Sequence, residues 1–310
     1  MKKMKIFVLS LLVIVLMTGC LGNKEVTNNK NDKLNIVATT TMLKDLAIHL
    51  GGEKVDVVGL MGAGIDPHLY KASAGDVTKM QEADLIIYNG LHLEGKMGEI
   101  FENLQGKDKE VLAVGEMIDE TKLLPSSDYV DSHDPHIWFN VKLWMDASNI
   151  VADKLIEIDG ENEEYYENSR NSYLEQLEDL EQYIINRANE LNKNKRILIT
   201  AHDAFSYFGD AYGFEVRGLQ GISTATEAGT QDVSKLADYI AEKEIKAIFI
   251  ESSVPVKNVE ALKEAVNSRG FEVNIGGELF SDSTGTPGTE EESFIGTFKH
   301  NIDTIVDALK

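Results

Sequence analysis

Short, almost continuously apolar runs alternate with longer amphipathic ones from residue 34 onward. "LNIVATT" (34–40), "KVDVVGL" (54–60), "DLIIYNG" (84–90) and "EVLAV" (110–114) are short apolar runs that read as buried strands. "TMLKDLAIHL" and "AGDVTKMQEA" lie between them and read as helices. The same style returns after residue 195. "RILIT" (196–200), "FEVRGL" (214–219), "AIFIE" (247–251) and "FEVNIGGELF" (271–280) read as strands, separated by the helical patterns "DVSKLADYIAEKE" and "KNVEALKEAVNSRG". Strand–helix alternation predicts an α/β fold with parallel sheets and helices on both faces, here in two blocks.

Between the blocks, residues 161–194 contain neither Pro nor Gly. Tyr173, Leu177, Leu180, Ile184, Ala188 and Leu191 recur at spacings of three and four, which makes one apolar stripe. The pattern predicts a single helix of about 25–30 residues, about 40 Å long, running along both blocks and joining them. A rigid helix in that place permits less hinge motion than a pair of extended strands.

The N-terminus has a different pattern. Lys2, Lys3 and Lys5 precede an apolar run, Ile6 to Leu16, and then Met17-Thr18-Gly19-Cys20. That layout is a secretory signal, and the run is short for a membrane-spanning helix. Cys20 is the only cysteine, so no intramolecular disulfide is available and core burial must hold the fold. The stretch "LGNKEVTNNKNDK" (21–33) is polar, Asn-rich and without apolar periodicity, and reads as a flexible tether. The expected organisation is therefore a signal peptide at 1–19 and an anchor and tether at 20–33. An N-terminal lobe at 34–160, a linking helix at 161–193 and a C-terminal lobe at 194–310 follow.

The net charge is −22. Removal of the three signal-peptide lysines brings it to about −25 and leaves no basic patch for nucleic acid. Most of the acids fall in amphipathic helices such as "ENEEYYENSR", where they serve solubility.

The chemistry is carried by histidine and carboxylate. Asp-Pro-His occurs twice, in "IDPHLY" (65–70) and in "DSHDPHIWF" (131–139), in a chain with seven histidines. Proline fixes its own φ and extends the residue before it, so each His68 and His136 is presented from a stiff turn. The Asp of each turn is expected to orient a backbone amide or the ligand itself. His202 follows "RILIT", Glu251 ends "AIFIE" and Asp282 follows "FEVNIGGELF", all at the carboxyl ends of strands, where open α/β sheets build their sites. His136 leads into "IWFNVKLWMDA", helical from about residue 141. Three histidines and a carboxylate form a complete N/O set for a divalent transition metal. His133, three residues before His136, is an alternative ligand without a preceding proline. His49, His92 and His300 read as structural or exposed, and Asp282 taken alone could simply cap the turn in "SDSTGTPG".

"IDPHLYKASAGDVTKMQEADLIIYNGLHLEGKM", "DPHIWFNVKLW", "TAHDAFSYFGDAYG", "FIESSVP" and "LFSDSTG" resemble the metal-receptor lipoproteins of bacterial ABC transporters that take up manganese and zinc. The resemblance covers nearly all of residues 34–310 and extends to a lipobox, with Met17 where the family usually has Leu. It implies two Rossmann-like lobes joined by one long helix, with the metal between them. It implies His68 and His136 as ligands from the first lobe and His202 and Asp282 from the second, His202 standing where some relatives have Glu. Glu251 falls outside that ligand set and is expected to support it. Cys20 would carry the lipid, placing the chain outside the cytoplasm on the cell membrane of what the composition suggests is a Gram-positive bacterium. The implied partners are a membrane permease and its ATPase, with the chain acting as a monomer and not as an enzyme.

The segment before His136, "DETKLLPSSDYVDSHD", has one histidine where dedicated zinc receptors carry a His-rich loop. That departure and the "HDAF" motif favour manganese, with zinc next and iron(II) also compatible with the ligands. His202 in place of Glu pulls toward zinc. Two other readings are a surface adhesin with a structural metal and a metallohydrolase using Glu251 as base. The latter needs an open coordination position, which four protein ligands do not leave.

Overall fold

The computed structural model describes residues 33–310 apart from 108, 127, 129 and 130. The signal sequence, Cys20 and the tether up to residue 32 lie outside the described residues.

The first block folds as a four-stranded parallel sheet in the order β2-β1-β3-β4, built from β1 (Leu34–Ala38), β2 (Val55–Gly59), β3 (Leu85–Tyr88) and β4 (Glu110–Ala113). Ile36 of β1 stands between Val57 and Leu85, and the inner strands bury Ile36, Val37, Ala38, Leu85, Ile86 and Ile87, as their continuous apolar runs require. Three helices accompany it: α1 (Thr41–Gly51), α2 (Ala74–Glu82) and α3 (Gly98–Gln105). Thr40 caps α1 by accepting the Leu43 amide, and Ser73 with Asp76 forms a capping box on α2. The short α3 was not announced by the apolar period.

Two helices follow, α4 (Val141–Ile158) and α5 (Glu163–Ala188). The latter has 26 residues, about 39 Å at 1.5 Å per residue. Tyr173, Leu177, Leu180, Ile184 and Ala188 on its stripe are all buried.

The second block contains β5 (Ile197–His202), α6 (Ser206–Tyr212), β6 (Glu215–Gln220), α7 (Thr230–Glu242), β7 (Ala247–Glu251), α8 (Lys257–Asn267), β8 (Asn274–Leu279) and α9 (Phe294–Leu309). All eight strands lie where the apolar runs placed them. Their ladders differ from a single sheet: β5 pairs with β6 and β7 with β8, both parallel, and the two ladders are separate. β5 and β7 still lie side by side. At the site end, the amide of His202 donates to the Glu251 side chain rather than to a strand carbonyl.

Helix α5 packs against α4, α1 and α9. One apolar core includes Leu46 and Trp144 from the first block, Leu177 and Ile184 from α5, and Phe294 and Ile302 from the second. Trp144 stacks on Phe294 with ring centroids 4.8 Å apart and planes 12° from parallel. Along this edge the lobes are joined by close-packed apolar surface, which deforms little.

Candidate metal centre

His68 lies on the loop after β2, His136 just before a single 3-10 turn (Ile137–Phe139), His202 at the end of β5 and Asp282 just after β8. The topology thus brings four chain positions to one edge, where the carboxyl ends of strands from both lobes meet. One donor atom from each of His68, His136, His202 and Asp282 can be chosen so that all lie within 4.8 Å of one another, and all four residues are buried. Four donors about 2.1 Å from a tetrahedral ion stand about 3.4 Å apart, so the set is close to metal-binding dimensions. The Nε2 atoms of all three histidines and Oδ1 of Asp282 are buried without a protein hydrogen-bond partner. Buried polar atoms are nearly always partnered, so this group of four unpartnered atoms is one that could hold a cation.

The opposite ring nitrogen is fixed on two of the histidines. His136 Nδ1 lies 2.7 Å from Asp134 Oδ1, and His202 Nδ1 lies 2.5 Å from Glu251 Oε2. An ionised carboxylate only accepts, so each Nδ1 carries the proton and each Nε2 lone pair is left for a metal. The main chain is held as well: Asp66 Oδ1 accepts the His68 amide at 2.8 Å, Asp134 Oδ1 the His136 amide at 2.9 Å and Glu251 Oε1 the His202 amide at 2.9 Å. In both Asp-Pro-His turns the aspartate therefore closes a turn onto the histidine two residues on.

Asp282 presents both oxygens. Oδ1 lies 3.6 Å from His136 Nε2, while Oδ2 lies 3.4 Å from His202 Nε2 and accepts from Ser253 Oγ at 3.1 Å. Gly218 allows β6 to close against this corner, since a Cβ there would collide with the His202 carbonyl carbon and the Asp203 nitrogen. Burial takes the His68 imidazole down to about 3. Burial pulls His202 the same way, but the Glu251 and Asp282 carboxylates outweigh it and hold that imidazole well above its usual value. Burial pushes the Asp282 carboxyl up, yet the imidazoles, His202 foremost, bring it below the usual carboxylate range.

The lobes also bond directly around the centre. Trp138 Nε1 donates to Ser281 O at 2.9 Å, Gly64 N to Ser283 Oγ at 2.8 Å and Thr224 Oγ1 to Asp66 Oδ2 at 2.6 Å.

The remaining histidines lie elsewhere. His133 faces Glu120 at 3.8 Å, His49 stacks on Tyr173 and bonds Asp45 O, and His300 bonds Glu278 O. His92 is on the loop after β3, at φ 67°. Glu94, which sequence reasoning passed over, is buried beside the site loops. It accepts from Thr39 Oγ1 and from the amides of Asn89 and Gly90, while Asn89 Nδ2 donates to Pro135 O behind His136. Its only sequence signal was a carboxylate directly after Leu93 in "GLHLEGKM".

Residues 36–308 match the family model described as zinc-uptake complex component A, periplasmic. The zinc-binding protein TroA of Treponema pallidum is 47% identical over 97% of this chain and 96% of its own length. The manganese-binding lipoprotein MntA of Bacillus subtilis is 42% identical over 95% of each. The manganese ABC transporter substrate-binding lipoprotein PsaA of Streptococcus anginosus is 30% identical over 100% of this chain and 99% of its own. Among solved structures, T. pallidum TroA superposes with a TM-score of 0.87 at 48% identity, covering 89% of this chain and 99% of that one. With the fold, the two-lobed α/β arrangement and nearly the full length in common, this chain belongs to the ZnuA-like family of metal-binding solute receptors of ABC transporters.

Proposed function

We propose that this chain captures a divalent transition metal outside the cytoplasm and delivers it to a membrane permease powered by an ATPase. In this reading His68 and His136 of a lobe spanning 34–160, and His202 and Asp282 of a lobe spanning 194–310, ligate the ion, with 161–193 as the linking segment. The observation that carries it is the convergence of four buried donor atoms, otherwise unpartnered, from both lobes. Glu251 and Asp134 serve by fixing the imidazoles that ligate. The chain acts as a monomer, held to the membrane by lipid on Cys20, and has no catalytic role: the four donors leave no position for a substrate.

Manganese is the favoured cargo. Asp282 turns one oxygen toward His136 and the other toward His202, which suits bidentate coordination and the higher coordination number that manganese accepts. Zinc has support of its own in the three imidazoles and in the zinc-binding relative at 47% identity. Zinc is expected to bind more tightly in vitro whichever ion the cell supplies.

The test is a thermal melt of the chelator-stripped chain from residue 21 onward with manganese, zinc, iron(II), magnesium and calcium. A ligand at 100 times its Kd adds about 2.7 kcal/mol. Stabilisation by manganese and zinc, and not by magnesium or calcium, is the expected result. Failure of every transition metal to raise the midpoint overturns the reading.

A further inference from the structure

The two Asp-Pro-His turns are built alike and used differently. Asp134 spends Oδ1 on both the amide and the ring of His136, and its Oδ2 has no hydrogen-bond partner. Asp66 holds the His68 amide with Oδ1 and turns Oδ2 to the other lobe, where it accepts from Thr224 Oγ1 at 2.6 Å. Of the three cross-lobe bonds named above, this one ends on the carboxylate that fixes a ligand's peptide unit.

Thr224 is itself buried, yet it sits on a surface segment, residues 221–229, between β6 and α7. The base of that segment is tied to the metal centre, since the amide of Asp203, next to His202, donates to Gly221 O at 3.2 Å. The Gln220 side-chain amide donates to Thr226 O and closes the segment on itself. Ser223 N reaches across to Asp128 Oδ2 of the first lobe at 2.9 Å. The segment borders an open cavity of about 760 Å³, lined also by Asp203, Arg217, Asp232 and Tyr239.

We propose that Thr224 is a positioning residue that clasps the lobes over the metal: by holding Asp66 from the opposite lobe it fixes His68 in the closed form and slows release of the ion. The inference depends on His68 being a ligand. Thr224 does not touch the metal. Its bond exists only while the lobes are together, so removing it destabilises the closed form and leaves the open form unchanged. The effect belongs in the dissociation rate and not in the association rate. A hydrogen bond from a hydroxyl to a charged acceptor is strong enough to change that rate by about tenfold.

The experiment uses the mature chain loaded with manganese and mixed in a stopped-flow instrument with excess chromogenic chelator. Association is measured separately with the metal-free protein. Wild type, Thr224→Val, Thr224→Ser and His68→Ala are compared. Thr224→Val is expected to release manganese about tenfold faster, with an association rate within about twofold of wild type and an unchanged metal-free melting midpoint. Thr224→Ser, which keeps the hydroxyl, is expected to restore slow release. If the valine variant proves unstable without metal, Thr224→Ala takes its place. Release at the wild-type rate from the variant lacking the hydroxyl overturns the clasp, as does release from Thr224→Ser as fast as from Thr224→Val. A loss confined to association overturns it too. Wild-type affinity in His68→Ala removes the ligand reading and the clasp together. Loss of binding in His68→Ala with unchanged release from Thr224→Val removes the clasp alone.

Discussion

Glu251 holds His202 at two points: Oε1 accepts the backbone N–H at 2.9 Å and Oε2 faces ring Nδ1 at 2.5 Å, with both side chains fully buried. Each residue ends a strand, so the alignment of β7 beside β5 sets the direction in which His202 Nε2 points. Glutamine at 251 could keep the bond to the backbone amide. Its NH2 group would then face Nδ1 and demand an acceptor there, moving the proton to Nε2, the atom needed by the metal. Glu251→Gln is expected to weaken manganese and zinc binding by about 10–100-fold. Competition against a chromogenic chelator measures this, and affinity within about twofold of wild type would show that the tautomer argument is wrong.

Alanine at His68 or at Asp282 removes one donor and leaves the others buried. Asp282 does more, because it is the only carboxylate in the cluster and faces both His136 and His202. Both variants are expected to lose tight binding, with Asp282→Ala the more severe. Equilibrium dialysis of the purified variants reads the outcome, and unchanged stoichiometry in either one contradicts the ligand assignment.

The eight strands and the long helix were legible because each depends on a local pattern. "LIIY" is apolar at every position because β3 is covered on both faces, and the α5 stripe is helical because nothing between 161 and 194 breaks it. The place of His202 at the end of β5 was legible for the same reason. The separation of the second block into two ladders was not, since it depends on how β5 meets β7, where a glutamate side chain takes the amide of His202. Nor were the partners that tertiary packing supplies: the bond from Thr224 to Asp66 spans 158 positions, and Glu94 is buried by loops whose approach no period encodes. The dipeptide Asp-Pro announces a turn, but whether its aspartate serves the ring or the opposite lobe is decided by what folds against it.

Proton release follows from the imidazoles. Burial pulls His202 down but the Glu251 and Asp282 carboxylates outweigh it and raise the imidazole, which favours a proton at this ring when the metal is absent, whereas His68, taken by burial to about 3, is already neutral. The ion needs the His202 Nε2 lone pair, so binding is expected to expel about one proton from His202 and none from His68. Metal and proton compete, and affinity falls as pH drops, by about tenfold per unit while one proton is displaced. Calorimetry in buffers of different ionisation enthalpy counts the proton directly. A count of zero at pH 7 would place His202 in its neutral form before the metal arrives.

Two substitutions on α5 separate core burial from surface charge as the source of its strength. Arg187 pairs with Asp303 at 2.6 Å and Asp307 at 2.8 Å on α9, and with Glu190 at 2.7 Å. These acids are 40–66% exposed, so solvent screens the network. Leu177, by contrast, is wholly buried in the core that includes Trp144 and Phe294. Truncating it opens a cavity where both lobes meet the helix. Leu177→Ala is expected to cost about 2–5 kcal/mol, and Arg187→Ala about 1 kcal/mol or less. Neither residue touches the metal centre, so both variants should still bind one ion. Urea denaturation of the metal-free chain ranks the two. A larger loss from Arg187→Ala would mean that the ion pairs, not the buried stripe, fix the helix to the second lobe.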